Sequence, residues 1–524
     1  MATQWQTFPI EFRGGLISNL SPLQHGTNAV GSATILQNFE PNKEGGYSKI
    51  RGYEKFSTEQ VPGSGPILGL KVISSGTYVA ARRNASGYTE YYYGTGTTWN
   101  SMGVSANTNG GKIRSVSFNF DGDQKVCFVD GTNYPAIYNP SGNTLGWADG
   151  QYYNTSNDIR TELQGVEHVA VFKDQLVFAK GNTLYYPGVA TEDDFSSADA
   201  IYGSIVPVIE DITGLAVFRE QLLIFTANTI SRLTGPNMEG SNVTPITDRI
   251  GCISGDTIQE VGGDIMYLAP DGLRLLSATD RIGDFGLDVA SDPIAKTVRT
   301  FIGTTNDYTA IVLRNKAQYR IFGYIASEQE ETAGGLIATK FTSQGAGGIS
   351  WAQTRGIKAY VADSTYVGNT EVAAFANADG YVYRMETGSS FDGSTISAIY
   401  ESPYMPINDP QIRKTFYKMT LYAEPTGSME LDFNIKYDFG TTTNKAVIQP
   451  NTDSISSTGT SIFEFGAANA VFGTATYGGE LDNVYQKNII GSGKTIAIRI
   501  EDNSTKPTFT LDTALLEFRT NDRQ

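Results

Sequence analysis

Short apolar runs bounded by Gly, Asn and Asp recur along the chain from residue 67 onward, a pattern that predicts strands and hairpins rather than helices. Thr77-Tyr-Val-Ala-Ala-Arg-Arg83 and Tyr88-Thr-Glu-Tyr-Tyr-Tyr93 flank a turn at Asn84-Ala-Ser-Gly87. Gln124-Lys-Val-Cys-Phe-Val129 and Pro135-Ala-Ile-Tyr138 follow, with the hairpin dipeptide Asp130-Gly131 between them. The pattern then repeats with recognisable sequence: Ala170-Val-Phe-Lys-Asp-Gln-Leu176 returns 46 residues later as Ala216-Val-Phe-Arg-Glu-Gln-Leu222. Weaker echoes pair Asp264–Leu268 with Gly272–Leu276, Ala310–Leu313 with Tyr319–Phe322, and Val372–Phe375 with Gly380–Tyr383.

These make seven units, roughly 45 to 60 residues apart, a period that predicts a β-propeller. A twisted four-stranded blade buries both faces only when others stack beside it. Six or seven blades fit, because the stretch Ile349–Tyr383 carries an extra strand candidate and the first unit matches poorly. Phe172 and Phe218 should then be equivalent, and both buried. Inside the propeller, Ser291–Ile302 predicts one helix: Asp292 suits the cap, Pro293 the first turn, and Ile294, Val298 and Phe301 share a face. After Gly393 the apolar runs lengthen, at 395–400, 413–423, 429–437, 495–500, 508–511 and 515–518, which predicts an antiparallel β-sandwich-like domain. The expected fold class is therefore all-β, with an N-terminal arm and propeller-closing strand (1–60), a β-propeller (61–390) and a C-terminal β domain (394–524).

Composition supports many short strands and tight turns: 57 Gly, 29 Tyr and 26 Phe among 524 residues. Charge narrows the function. Lys and Arg number 39 against 55 Asp and Glu, a net charge of −16, which argues against a protein that grips phosphates. Cys127 and Cys252 sit in separate apolar contexts and read as buried free thiols. His25 and His168 have no partner at metal-ligand spacing, and no G-x-S-x-G, Walker A, H-E-x-x-H or sialidase-type box occurs. Phe120-Asp-Gly-Asp123 lacks the remaining ligands of a calcium loop. No catalytic residue, metal or cofactor is therefore expected. The start of the chain has no basic segment leading into an apolar one, and no run of 18 apolar residues occurs, so no membrane span is expected.

The first 55 residues carry the most specific pattern: Phe12-Arg-Gly-Gly-Leu-Ile-Ser-Asn19, then Gly31-Ser-Ala-Thr-Ile-Leu-Gln-Asn-Phe-Glu-Pro41, then Glu44-Gly-Gly-Tyr-Ser-Lys-Ile-Arg-Gly-Tyr53. On physical grounds Ser32 can cap a short helix carrying Ile35, Leu36 and Phe39, and the strand after Gly46 can close the propeller by pairing with its last blade. The segment resembles the opening of tail-nozzle proteins of short-tailed bacteriophages, also called tail tubular or packaged-DNA-stabilisation proteins. The likeness is close at the start and loose over the propeller and C-terminal β layout.

The resemblance implies a structural virion protein made in the host cytoplasm, not an enzyme. It implies a homohexameric ring below the head adaptor that retains packaged DNA and conducts the duplex at ejection without binding it specifically. Its neighbours would be the adaptor and the tail fibre or distal tail proteins. Two acidic runs then become candidates for the lumen: Glu192, Asp193 and Asp194, and Glu328, Glu330 and Glu331. The competing reading is a glycan-binding or glycan-cleaving propeller, since such chemistry needs only two suitably spaced carboxylates.

Overall fold

A computed structural model describes residues 5–19, 29–120, 122–148, 152–153, 160–195, 203–276, 289–305, 307–340, 348–439, 453–456 and 483–521. The fold is all-β. Seven successive antiparallel sheets span residues 64–108, 114–147, 168–205, 212–247, 259–275, 307–355 and 361–385. Each of the seven sequence units falls in its own sheet. Except between the fourth and fifth sheets, the first strand of each sheet touches that of the next; the turn Gly255–Thr257 relays between the fourth and the sixth, and Val361–Val367 of the seventh meets Ser64–Val72 of the first. This closes the ring and fixes the blade number at seven.

Between neighbouring blades lie separate apolar layers. Phe128 and Tyr138 of the second blade face Tyr91 of the first, and Ala374 and Val382 of the seventh face Leu70 of the first. Stacking around a ring therefore covers faces that no single sheet could bury.

The repeated hairpins share one geometry. Lys173 and Asp174 (φ 51° and 57°) match Arg219 and Glu220 (φ 49° and 60°), two left-handed residues that make the turn follow the twist of its strands. Phe172 pairs with Gln175 and Phe218 with Gln221, so the register is equivalent. Their burial is not. Phe172 is 2% exposed in the layer between blades three and four, whereas Phe218 is half-buried beneath the Arg219 guanidinium, 4.8 Å from the ring centre. Phe172→Ala should thus cost about 3–5 kcal/mol and Phe218→Ala about half of that, measured by urea unfolding. Equal costs would contradict the difference in packing.

The N-terminal arm departs most from expectation. The helix expected from Ser32 to Phe39 is instead two short strands broken at Asn38, whose φ of 53° no helix interior accommodates. Five arm strands can be followed: β1 (Gln6–Glu11), β2 (Ile35–Gln37), β3 (Phe39–Pro41), β4 (Tyr47–Lys49) and β5 (Tyr53–Lys55). The strand directly after Gly46 is β4, and it pairs with the C-terminal strand Phe509–Thr520 rather than with the propeller. Blade seven is completed one strand later, by β5 against Val382–Met385.

The C-terminal region is a two-sheet sandwich. One sheet orders Val484–Gly493, Lys414–Pro425 and Phe509–Thr520, with β1 and β4 on the free side of the last strand. The segments 508–511 and 515–518 are thus parts of one strand. The other sheet orders Ile396–Glu401, Ile496–Ser504, Glu430–Tyr437 and Asp453–Ser456, and it continues through β2 into blade six. β2 runs parallel to Ile349–Arg355 and antiparallel to Ile396–Glu401, making one nine-stranded sheet across both regions. The predicted packing helix is present as a single 3-10 turn at Asp292–Ile294 leading into the α-helix Ala295–Thr304.

Candidate functional site

Three features at the heart of the molecule combine charge with burial. The first is the propeller axis. A polar cavity of about 200 Å³ lies there, lined by residues from all seven blades or their connecting turns. Arg114, leading blade two, donates from Nε and Nη2 to the two carboxylate oxygens of Asp256 at 2.7 and 3.1 Å, and Lys112 Nζ lies 3.3 Å from the same carboxylate. Asp256 belongs to the turn before blade five, so this pairing reaches across the ring. Burial works to raise the Asp256 pKa, but Lys112 and Arg114 outweigh it and hold the carboxyl well below its ordinary range. Lys71 Nζ meets Asp363 Oδ1 at 2.9 Å, tying blade one to blade seven.

His168 borders the same cavity. Burial, with Arg114 adding and Asp256 opposing, lowers its pKa to about 3, so it is a neutral ring at physiological pH. Replacing Asp256 by Asn should leave Lys112 and Arg114 short of their counter-charge and lower stability by about 2–3 kcal/mol, read by thermal unfolding. An unchanged melting temperature would mean that the axial ion pairs contribute nothing net.

The second feature is the seam between arm, propeller and sandwich. Arg320 of blade six is 1% exposed and lies 2.7 Å from both Glu40 Oε2 of β3 and Glu386 Oε1, which follows blade seven. Lys316 reaches the same two acids at 2.5 Å each. Beside it, Lys49 of β4 bonds Asp502 at 3.1 Å with both side chains fully buried, and burial lowers the Lys49 pKa against the pull of Asp502. Asn38 stitches across the seam too. Its Nδ2 donates to Ser397 O at 2.9 Å, and its Oδ1 accepts from Arg355 N at 2.9 Å.

The three N-terminal motifs converge at Tyr47. Its hydroxyl donates to Gly31 O at 2.8 Å and accepts from Gly15 N at 2.9 Å, while Phe12 packs edge-on against Tyr400 at 4.9 Å. Gly46 needs its glycine on two counts: φ is 80°, and an added Cβ would lie 2.7 Å from Leu511 O. A few residues on, Tyr53 donates to Gly356 O at 3.0 Å and Glu330 Oε1 at 2.9 Å.

The third feature is a cleft of about 610 Å³ where blade six passes into the sandwich, walled by the Ala295–Thr304 helix and by Tyr404.

The six acids singled out in the sequence do not gather at the propeller axis. Glu192 pairs with Lys125, Asp194 begins a short parallel bridge to Tyr152, and Asp193 lies between them. In the other run, Glu330 accepts from Tyr53, Glu328 borders the cleft, and Glu331 is exposed. Cys127 and Cys252 are both buried free thiols, and burial pushes the Cys252 pKa up to about 12. His25 lies outside the described residues. Asp256, Lys112, Arg114, Glu40 and Arg320 escaped sequence reasoning. Their only signal is a charge set inside an otherwise apolar or Gly-rich stretch, such as Gln318-Tyr-Arg-Ile-Phe322.

Among the described residues, no helix is long and apolar enough to cross a membrane. No family model and no curated protein matches the sequence. Among solved structures the chain is similar to the extracellular domain of a hybrid two-component system of B. thetaiotaomicron, at 11% identity and a TM-score of 0.35 over 63% of this chain. The match spans 43% of that structure's length.

Proposed function

We propose that this chain is a structural virion protein, the tail nozzle of a short-tailed bacteriophage, which assembles as a homo-oligomeric ring carrying the DNA channel below the head adaptor. The observation that carries the reading is the convergence of the three N-terminal motifs on Tyr47, in an arm that binds propeller and sandwich into one sheet. A conduit wall under pressure must not hinge between its domains. A shared sheet, a common apolar core and buried ion pairs at the seam all resist such hinging.

The propeller axis is crossed by ion pairs around a cavity of about 200 Å³, so the duplex would pass between copies of the chain and not through one. The hexameric state is what the resemblance implies. A net charge of −16 per copy suits a wall that lets a polyanion slide, with a field screened beyond roughly 8–10 Å at physiological salt. Glu192, Asp193, Asp194, Glu328, Glu330 and Glu331 are the candidates for that lumen. Glu328 and Glu331 are the better probes, because Glu192 and Glu330 hold structural partners. Reversing both to Lys should slow DNA ejection, more so at low salt.

Immunogold labelling of intact virions with antibodies to the purified chain tests the assignment. Gold confined to the tail supports it. Label absent from the particles, together with a monomeric chain that cleaves oligosaccharides, would reject it.

A further inference from the structure

We infer that the cleft between blade six and the sandwich is a binding site for a neutral saccharide. Its floor is the nine-stranded sheet where Ile349–Arg355, β2 and Ile396–Glu401 run side by side. Lys296, Thr300 and Thr304 line it from the helix, and Pro403 and Tyr404 from the opposite side. At about 610 Å³ the cleft is the size of a small-molecule site.

The lining chemistry selects the ligand class by elimination. Every floor strand is already paired on both sides, so no backbone edge is left to recruit a peptide strand. A lipid would take water from the Lys296 and Arg355 charges and the Gln353 amide and give them no partner in return. A polyanion would meet two carboxylates, Glu328 and Glu401, for the two cations, Lys296 and Arg355; the charges balance. Glu401 is further committed to Lys436 and Arg499, each at 2.8 Å.

What remains is a neutral, many-hydroxylated molecule with an apolar side. Several lining groups are unspent: among the described residues the side chains of Gln353, Lys296 and Arg355 make no hydrogen bond or ion pair. Together they offer both donors and acceptors. Tyr404, which packs on Phe439 at 4.4 Å, and Phe301 supply aromatic surface for the apolar side of a sugar ring. The site lies away from the propeller axis, and a ligand there would touch propeller and sandwich together.

Saturation-transfer NMR on the full chain, with a panel of neutral gluco-, galacto- and manno-oligosaccharides beside sulfated oligosaccharides and a control peptide, tests the site. Transfer to at least one neutral saccharide is expected. Arg355→Gln, at an exposed side chain, should weaken binding tenfold or more without moving the melting temperature, and Tyr404→Ala should weaken it at least as much while the chain stays folded by circular dichroism, whereas Ser115→Ala at the propeller axis should leave binding unchanged. Transfer to no neutral saccharide, preference for the sulfated ones or the peptide, or binding indifferent to both cleft variants would overturn the assignment. The readout is ligand binding by the purified chain, so its failure leaves the nozzle reading standing.

Discussion

A chain cut after Gly393 is expected to lose its cooperative fold altogether, rather than yield a free-standing propeller. The sandwich is not a separable appendage, because the arm that completes blade seven is itself built into the sandwich. Phe12, Leu36, Phe39 and Tyr47 are at most 1% exposed, in one apolar core that also holds Phe509, Leu516 and Tyr400. Removing the C-terminal strands uncovers these side chains at roughly 1.5–3 kcal/mol each. Four such losses use most of a typical stability margin of about 5–15 kcal/mol. They also orphan Lys49, whose partner Asp502 goes with the deleted segment. Limited proteolysis and near-ultraviolet circular dichroism of residues 1–393 measure this. A compact, protease-resistant fragment with a sharp melt would show that propeller and sandwich are separable.

Arg320→Ala should cost about 3–5 kcal/mol, the usual penalty for removing one member of a buried ion-pair group. Glu40 is 2% exposed and cannot recover its lost partner from water. Arg320→Met with Glu40→Gln should recover much of the loss, since the remaining pair, Lys316 with Glu386, leaves no unpaired charge. The same network predicts an acid limb. Burial favours the neutral form of Glu386, yet Arg320 and Lys316 win and lower its pKa from 4.5 to about 2. A folded value below the unfolded one means the contribution is complete above pH 4.5 and disappears as pH falls through about 2. Glu386→Gln should therefore flatten the pH dependence of stability in that window, and an unaltered profile would assign the acid limb to other carboxylates.

Local patterns were legible in the sequence, and long-range pairings were not. The Phe-Lys-Asp-Gln and Phe-Arg-Glu-Gln hairpins announce themselves because a tight turn between alternating strands is encoded within a few residues. The unequal burial of Phe172 and Phe218 depends on what the neighbouring blade presents, which the repeat itself does not encode. The arm misled for the same reason. Ile35, Leu36 and Phe39 fit one helical face, but their partners are Glu401, Tyr400 and Lys49, and only tertiary pairing makes strands of three residues worthwhile. Buried charges hid most completely. Arg114 and Asp256 are 142 residues apart and meet only once the ring closes. The six candidate acids stood out because they form runs, and a run of charges more readily marks a solvated loop than a buried pair.

Electron microscopy of intact virions at a resolution that traces the tail tests the central claim most directly. The account predicts several copies of this chain in a ring directly below the adaptor. The DNA path should be bounded by all of them, and each propeller axis should stay filled by the Arg114–Asp256 pair. A tail without this chain, or a duplex threaded through the axis of a single propeller, would contradict it.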